Sequence, residues 1–195
     1  MNLSEQRKPV YGPAGDPARH RSLAELEAGL RGLPRQPADS GRLALIVRRR
    51  ADGVRETPDR VLLSSEAGVS GDRWGDGSPR DPEDQLAVMR RDVAELIANG
   101  QPLSVFGDNL FVDLDLSAGS LPPGSRLRVG DALVEVTPMP HDGCLKFKAR
   151  FGGDALRFVS AKATRDQNLR GVYWKVIEPG AVRVGAPIHV LRAAG

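Results

Sequence analysis

The sequence predicts an α+β fold dominated by β structure, a barrel or sandwich with inserted helices. Three observations lead there. Glycine (22) and proline (15) are abundant in 195 residues, which favours many turns and short strands over long helices. Several segments alternate along the chain with a period of two, the repeat of a strand. Glycine-bearing turns separate these segments at close spacing, as in barrels and sandwiches.

Each element follows from its own residues. Residues 1–20 are polar and rich in proline and glycine, and read as a flexible arm. Ser22 and Glu25 have capping-box spacing, while Leu23, Leu26, Leu30 and Leu33 share one helical face. Gly32 and Pro34 end that element, so a short helix is expected over residues 22–33. The chain thus divides into an arm and short helix, residues 1–40, and one β-rich domain, residues 41–195. Leu43 to Val47 has the look of a buried strand, and residues 60–63 form a second. Gly68 to Gly77 is a glycine-dense, charged loop whose backbone N–H groups could form an anion nest. Asp81 as N-cap and Pro82 at the first helical position open a predicted helix over residues 82–98. Leu86, Met89, Val93, Leu96 and Ile97 make its apolar face, and Asn99-Gly100 caps it. Phe106 to Leu110 turns into a strand at residues 111–116. Further strands are expected at residues 126–129, 132–137 and 172–177, where alternation is clear. Two last strands follow at residues 181–184 and 187–191, and a second inserted helix lies over about residues 147–160.

Composition narrows the function classes. Net charge is +3, from 28 basic and 25 acidic residues, and no Lys/Arg stripe is interleaved with aromatics. A nucleic-acid partner is therefore not expected. Arg48-Arg49-Arg50, the densest basic cluster, follows an apolar run and reads as a solvated strand end. No apolar run is long enough to span a membrane, and residues 1–21 lack an apolar signal core, so the cytoplasm is the expected location. A single cysteine rules out an internal disulfide and suits a reducing compartment. The chain has no CxxC and no HExxH, so a structural zinc site is not expected. Nor does the 68–77 loop match a phosphate loop or GxGxxG.

That cysteine carries the chemistry. Cys144 follows a turn, Pro140-His141-Asp142-Gly143, and Lys146, Lys148 and Arg150 come within six residues after it. As a strand, Cys144 would share a face with all three cations; as a helix, it would lie in the first turn with Lys148 one turn on. The helix is preferred, because residues 154–160 continue without a turn signal. Either setting favours a thiolate, which nucleophilic attack, persulfide chemistry and soft-metal ligation require. His141 is a candidate partner for Cys144. Against this stands the bland alternative, a buried cysteine acting as a small hydrophobe.

Several segments together resemble the MOSC domain, the C-terminal module of molybdenum-cofactor sulfurases. They are Gly68-Val69-Ser70-Gly71-Asp72-Arg73, Phe106-Gly107-Asp108-Asn109-Leu110, and Leu121 to Gly130. Pro140-His141-Asp142-Gly143-Cys144 follows, then Arg170-Gly171-Val172-Tyr173-Trp174 with Pro179-Gly180. They occur in the family's order over about residues 42–192. Trp74 stands where many members have histidine, and Gly143 where many have proline. The resemblance implies a MOSC-type β-barrel, and the helix at residues 22–33 lies outside the matched region as an N-terminal helical extension. It also implies binding of the pterin molybdenum cofactor, with Cys144 as metal ligand or persulfide carrier. Asp72, Arg73, Asn109, Lys146, Arg150 and Arg170 are the candidate cofactor-binding residues. Arginine and lysine suit the cofactor's phosphate, and Asn109 could bond a pterin edge.

Three functions follow as expectations. The first is a molybdenum-cofactor protein that reduces N-hydroxylated compounds with the help of an electron-donor protein. The second is a sulfur carrier fed by a cysteine desulfurase, where pyridoxal phosphate would enter only through that partner. The third is a non-catalytic binding module with Cys144 buried. A homodimer is left open.

Overall fold

The computed structural model describes residues 12–76 and 80–191. Helix α1, Leu23–Gly32, is followed by strands β1 (Ser40–Ile46), β2 (Arg48–Arg49), β3 (Arg55–Glu56), β4 (Arg60–Ser64) and β5 (Gly68–Val69). Next come β6 (Leu86–Arg90), α2 (Arg91–Ala98), β7 (Leu110–Asp113), β8 (Arg126–Val129) and β9 (Ala132–Val136). Helix α3 (Leu145–Val159) then leads to β10 (Val172–Glu178), β11 (Gly180–Arg183) and β12 (Pro187–Leu191).

Seven strands close a barrel in the order β1-β12-β8-β9-β10-β6-β7, with β7 pairing back to β1. Within the barrel only β6 and β7 pair in parallel, and α2 supplies the crossover that a parallel pair needs. Outside the barrel, β4 pairs with β11 and β5, and β2 with β3 forms a small ribbon. The fold is therefore α+β with a β-barrel at its centre, as the sequence predicts.

Two cores hold it. Leu43, Leu86, Val88, Leu110, Val112, Val134 and Trp174 pack inside the barrel. Met89 and Phe111 point the other way, into a second cluster with Leu26, Val93, Ile97, Phe106, Phe147, Phe151 and Phe158 from the helices and loops. Phe106 stacks on Phe151 at 4.1 Å between centroids. Strands β6 and β7 are thus covered on both faces.

That double burial corrects the helix expected over residues 82–98. Asp81 does cap, and Pro82 does open, a helical turn, but it is a 3-10 turn ending at Asp84. Residues 86–89 are then a strand buried at every position, and the α-helix begins only at Arg91. A strand covered on both faces loses its alternation, and the spacing of Leu86 and Met89 then mimics a helical face. Asn99, in the left-handed region at φ 48°, ends α2 as expected.

The arm is also corrected. Residues 12–20 are held rather than loose: Asp16 N–H donates to Gln101 Oε1 at 2.8 Å, and Asn99 Nδ2 donates to the Arg19 carbonyl at 3.1 Å. The rest of the arm, residues 1–11, lies outside the described residues. The Ser22 capping box forms in full, and Leu26 is completely buried in the second core.

Candidate functional site

A cleft of about 360 Å³ opens between the β2–β3 ribbon, the loop after β5 and the start of α3. Among the described residues its lining carries six basic side chains, Arg49, Arg55, Arg73, Arg80, Lys146 and Arg150, against two acidic ones, Asp81 and Asp84. Trp74 forms part of the wall; its Nε1–H donates to Asp84 Oδ1 at 2.7 Å, and the Arg80 guanidinium lies 5.5 Å from its ring centre. The indole is thereby fixed, with its polar edge spent on Asp84.

A carboxylate bracket builds the wall. Asp72, 1% exposed, accepts from the Arg49 guanidinium at 2.7 Å and from the backbone N–H groups of Arg49 (2.6 Å) and Trp74 (3.0 Å). Arg49 also donates to the Gly107 carbonyl at 2.8 Å. Asp72 and Arg49 together therefore tie three chain segments, and Asp72 occupies the Trp74 N–H that an anion nest would use.

Behind the cleft lies a second buried network. Arg170 donates twice from Nη1 to Asp108, at 2.8 and 2.9 Å, and sits 5.0 Å from the Phe147 ring centre. His141 packs on Tyr173 at 4.2 Å between ring centres, with Nε2 3.7 Å from Asp108. That distance is too long for a hydrogen bond, and Asp108 is already committed to Arg170. Burial, then the charges of Arg170 and Arg49, pushes the His141 pKa well below its ordinary 6.5, so the imidazole is neutral at neutral pH. Burial likewise raises the Tyr173 phenol. Among the described residues the Nδ1 of His141 and the Nε of Arg170 have no hydrogen-bond partner, and both residues border a smaller cavity of about 90 Å³.

Cys144 is exposed at the N-cap of α3, and the Lys148 N–H donates to its carbonyl at 3.0 Å, starting the helix. The helical alternative is thus the one adopted, and the buried-cysteine alternative is not. Burial lowers the Arg150 pKa, while the charges of Cys144 and Asp108 oppose that and Arg170 adds to it. Cys144 thus begins the helix that carries Lys146 and Arg150 into the cleft lining.

Of the residues singled out in sequence, Arg73, Lys146 and Arg150 meet in the cleft, and Cys144 lies next to them. Asp72, His141 and Arg170 sit behind it as bracing groups. Asn109 is 1% exposed inside the barrel wall, accepting from Ala87 N–H at 3.2 Å and donating to the Val47 carbonyl at 3.4 Å. Sequence reasoning passed over Arg49, Arg55 and Arg80. Arg49 belongs to the densest basic cluster, and its side chain is only 17% exposed. It is not a solvated strand end but a cleft residue. The signal was the buried Asp72 that follows a Gly-rich turn, since such a carboxylate needs a cation.

Among the described residues, no three His, Cys, Asp or Glu side chains gather in a way that could hold a metal ion. A metal near Cys144 would need most of its ligands from elsewhere. The cleft does fit a planar heterocycle bearing a phosphate: cations line it, an immobilised indole offers a flat apolar surface, and a thiol stands close by. No helix among the described residues is long and apolar enough to cross a membrane.

The family model of the MOSC domain matches residues 82–189. No curated protein matches significantly. Among solved structures, YiiM from Escherichia coli is 23% identical, covering 79% of this chain and 71% of that one, with a TM-score of 0.51. The YuaD protein from Bacillus subtilis is 18% identical, covering 80% of this chain and 97% of that one, with a TM-score of 0.54. A crystal structure of a hypothetical protein is 23% identical, covering 78% and 68%, with a TM-score of 0.54. At these identities the likeness to the solved structures shows the fold.

Proposed function

This chain belongs to the MOSC domain family, and we propose that its cationic cleft binds the pterin molybdenum cofactor with Cys144 as the protein's thiolate ligand to the metal. The observation that carries the reading is the convergence of six basic side chains on one cleft beside the chain's single cysteine. Arg73, Lys146 and Arg150 would hold the phosphate, and Trp74 would lie against the flat ring system. Arg49, locked by Asp72, would keep the wall in place without moving on binding. A thiolate is a suitable soft ligand. When bound, the cofactor supplies a redox-active metal, which suits reduction of N-hydroxylated compounds with electrons from a donor protein. His141, neutral and buried behind the site, would bring no charge into it, and the Arg170–Asp108 pair would stand on its own two hydrogen bonds.

The test is molybdenum per chain, by elemental mass spectrometry, on protein purified anaerobically from a host that makes the cofactor. Near-stoichiometric molybdenum in the wild type, lost in Cys144→Ser with the fold retained, is the expected result. Molybdenum unchanged in the variant would remove Cys144 as ligand; none in either protein would overturn the reading.

A second reading rests on the exposure of Cys144, which leaves the thiol open to a partner protein. In it, Cys144 takes sulfane sulfur from a cysteine desulfurase and passes it on. A reductant-labile mass gain of one sulfur on Cys144 after incubation with a desulfurase and cysteine would support it. No adduct would end it. Either thiol chemistry suits a reducing compartment such as the cytoplasm.

A further inference from the structure

Arg150 enters the cleft from a helix that is broken two residues later. Gly152 sits at φ +91° inside α3, outside helical geometry. The N-terminal segment fills the break. His20 Nε2 lies 3.1 Å from the Arg150 carbonyl, and because a carbonyl only accepts, Nε2 carries the proton and donates. A Cβ at Gly152 would come within 2.9 Å of His20 Nδ1, so the bare glycine is what admits the ring. The Arg150 side chain is held from the same segment: its Nε–H donates to the Pro13 carbonyl at 3.2 Å. Between these two contacts, Gly15 presses so closely on the Arg150 backbone that any side chain there would collide with the Arg150 carbonyl. Gly12 lies against the guanidiniums of both Arg55 and Arg150, two of the cleft's cations. The segment is anchored at its far end too, where Leu23 N–H donates to Asp154 Oδ2 at 3.0 Å, just beyond the break.

We propose that residues 12–20 are a working wall of the ligand cleft, with His20 the positioning residue that sets the Arg150 guanidinium for a phosphate-bearing ligand. This inference rests on the reading of the cleft as an anion-binding site. It concerns a part of the chain outside the matched family region, residues 82–189. Arg150 is 4% exposed, so it cannot swing to find an anion; its usefulness depends on where the backbone holds it. A guanidinium fixed in place loses less freedom on binding than a surface one.

The test uses guanosine monophosphate, a planar heterocycle carrying a phosphate, titrated calorimetrically into the full chain. The wild type binds, and Arg150→Gln binds more weakly. His20→Ala weakens binding about fivefold, the scale of one hydrogen bond, and His20→Gln, which keeps a donor, restores most of it. The double variant His20→Ala with Arg150→Gln binds no worse than Arg150→Gln alone, because His20 acts through Arg150. A merely structural role would lower stability without this non-additivity. Wild-type affinity in His20→Ala, or effects that simply multiply, would overturn the inference and leave the cleft reading standing. No binding by the wild type, or no effect of Arg150→Gln, would overturn both. Should His20→Ala fail to fold, linkage offers a second measurement on the wild type. Saturating guanosine monophosphate must slow hydrogen exchange at the amides of residues 16–20 if arm and ligand are coupled, and unchanged exchange there would overturn the inference.

Discussion

His141 shows how much one side chain can be decided by its surroundings. In the sequence it stands three residues before Cys144 and invites a catalytic reading. In the fold its ring is buried and tilted against Tyr173, with the charges of Arg170 and Arg49 acting on it, so the proton is unwelcome. The pH consequence has a definite sign. The folded pKa lies below the ordinary 6.5, so in the window between the two values the unfolded chain holds the proton and the folded one does not. Stability therefore falls as pH falls through that window. One such proton contributes at most about 1.4 kcal/mol per pH unit. His141→Gln, which keeps the size but cannot titrate, should flatten the loss of unfolding free energy as pH falls below about 6.5. Urea denaturation at several pH values reads this directly, and equal slopes in the two proteins would show that the imidazole titrates as it does in the unfolded chain.

At the scale of elements, the molecule turns on what covers each strand and where each helix stops. The strands at residues 126–129 and 172–177 were legible because one face is apolar and the other is mixed: Val172, Trp174 and Val176 point inward while Tyr173 and Lys175 do not. Strand β6 was illegible for the opposite reason, since Met89 is needed by the helices outside as much as Val88 is by the barrel inside. The helix after Cys144 was legible, but not its break, because Gly152 and Gly153 are ordinary residues until His20 arrives from more than a hundred positions away. Cleft formation shares this non-local character: Arg73, Lys146 and Arg150 could be picked out near motifs, whereas Arg55 and Arg80 are recruited by topology alone. The break itself is testable. Gly152→Ala must place an L residue at φ +91° and crowd His20, costing on the order of 1–2 kcal/mol from the backbone conformation alone. The expected outcome is faster proteolysis within residues 12–20, with the barrel's own unfolding transition retained. An arm as resistant as that of the wild type would mean that the kink does not hold it.

Over the whole molecule, charge is nearly balanced, at +3, yet six basic side chains face one cleft. The difference between the global and the local figure decides how an anion is attracted. At physiological ionic strength charges are screened beyond about 8 Å, so the remaining surface adds little and the cleft's own cations must supply the attraction. A phosphate-bearing probe such as guanosine monophosphate should therefore bind less tightly as sodium chloride rises, while a neutral solute at matched concentration has no such effect. Which cations set that slope is a sharper question than whether a slope exists. Arg150→Gln removes a charge from the cleft and should make binding both weaker and less salt-dependent. Arg126→Gln removes the same formal charge from a residue that pairs with Glu135 on β8 and β9 and does not line the cleft. It should leave affinity and slope as they are in the wild type. If the two variants lost affinity alike, attraction would belong to the net charge of the protein, and the cleft would not be the anion site. If only Arg150→Gln lost it, the barrel would be acting as a scaffold that gathers cations from the ribbon, the loop after β5 and the start of α3 onto one point.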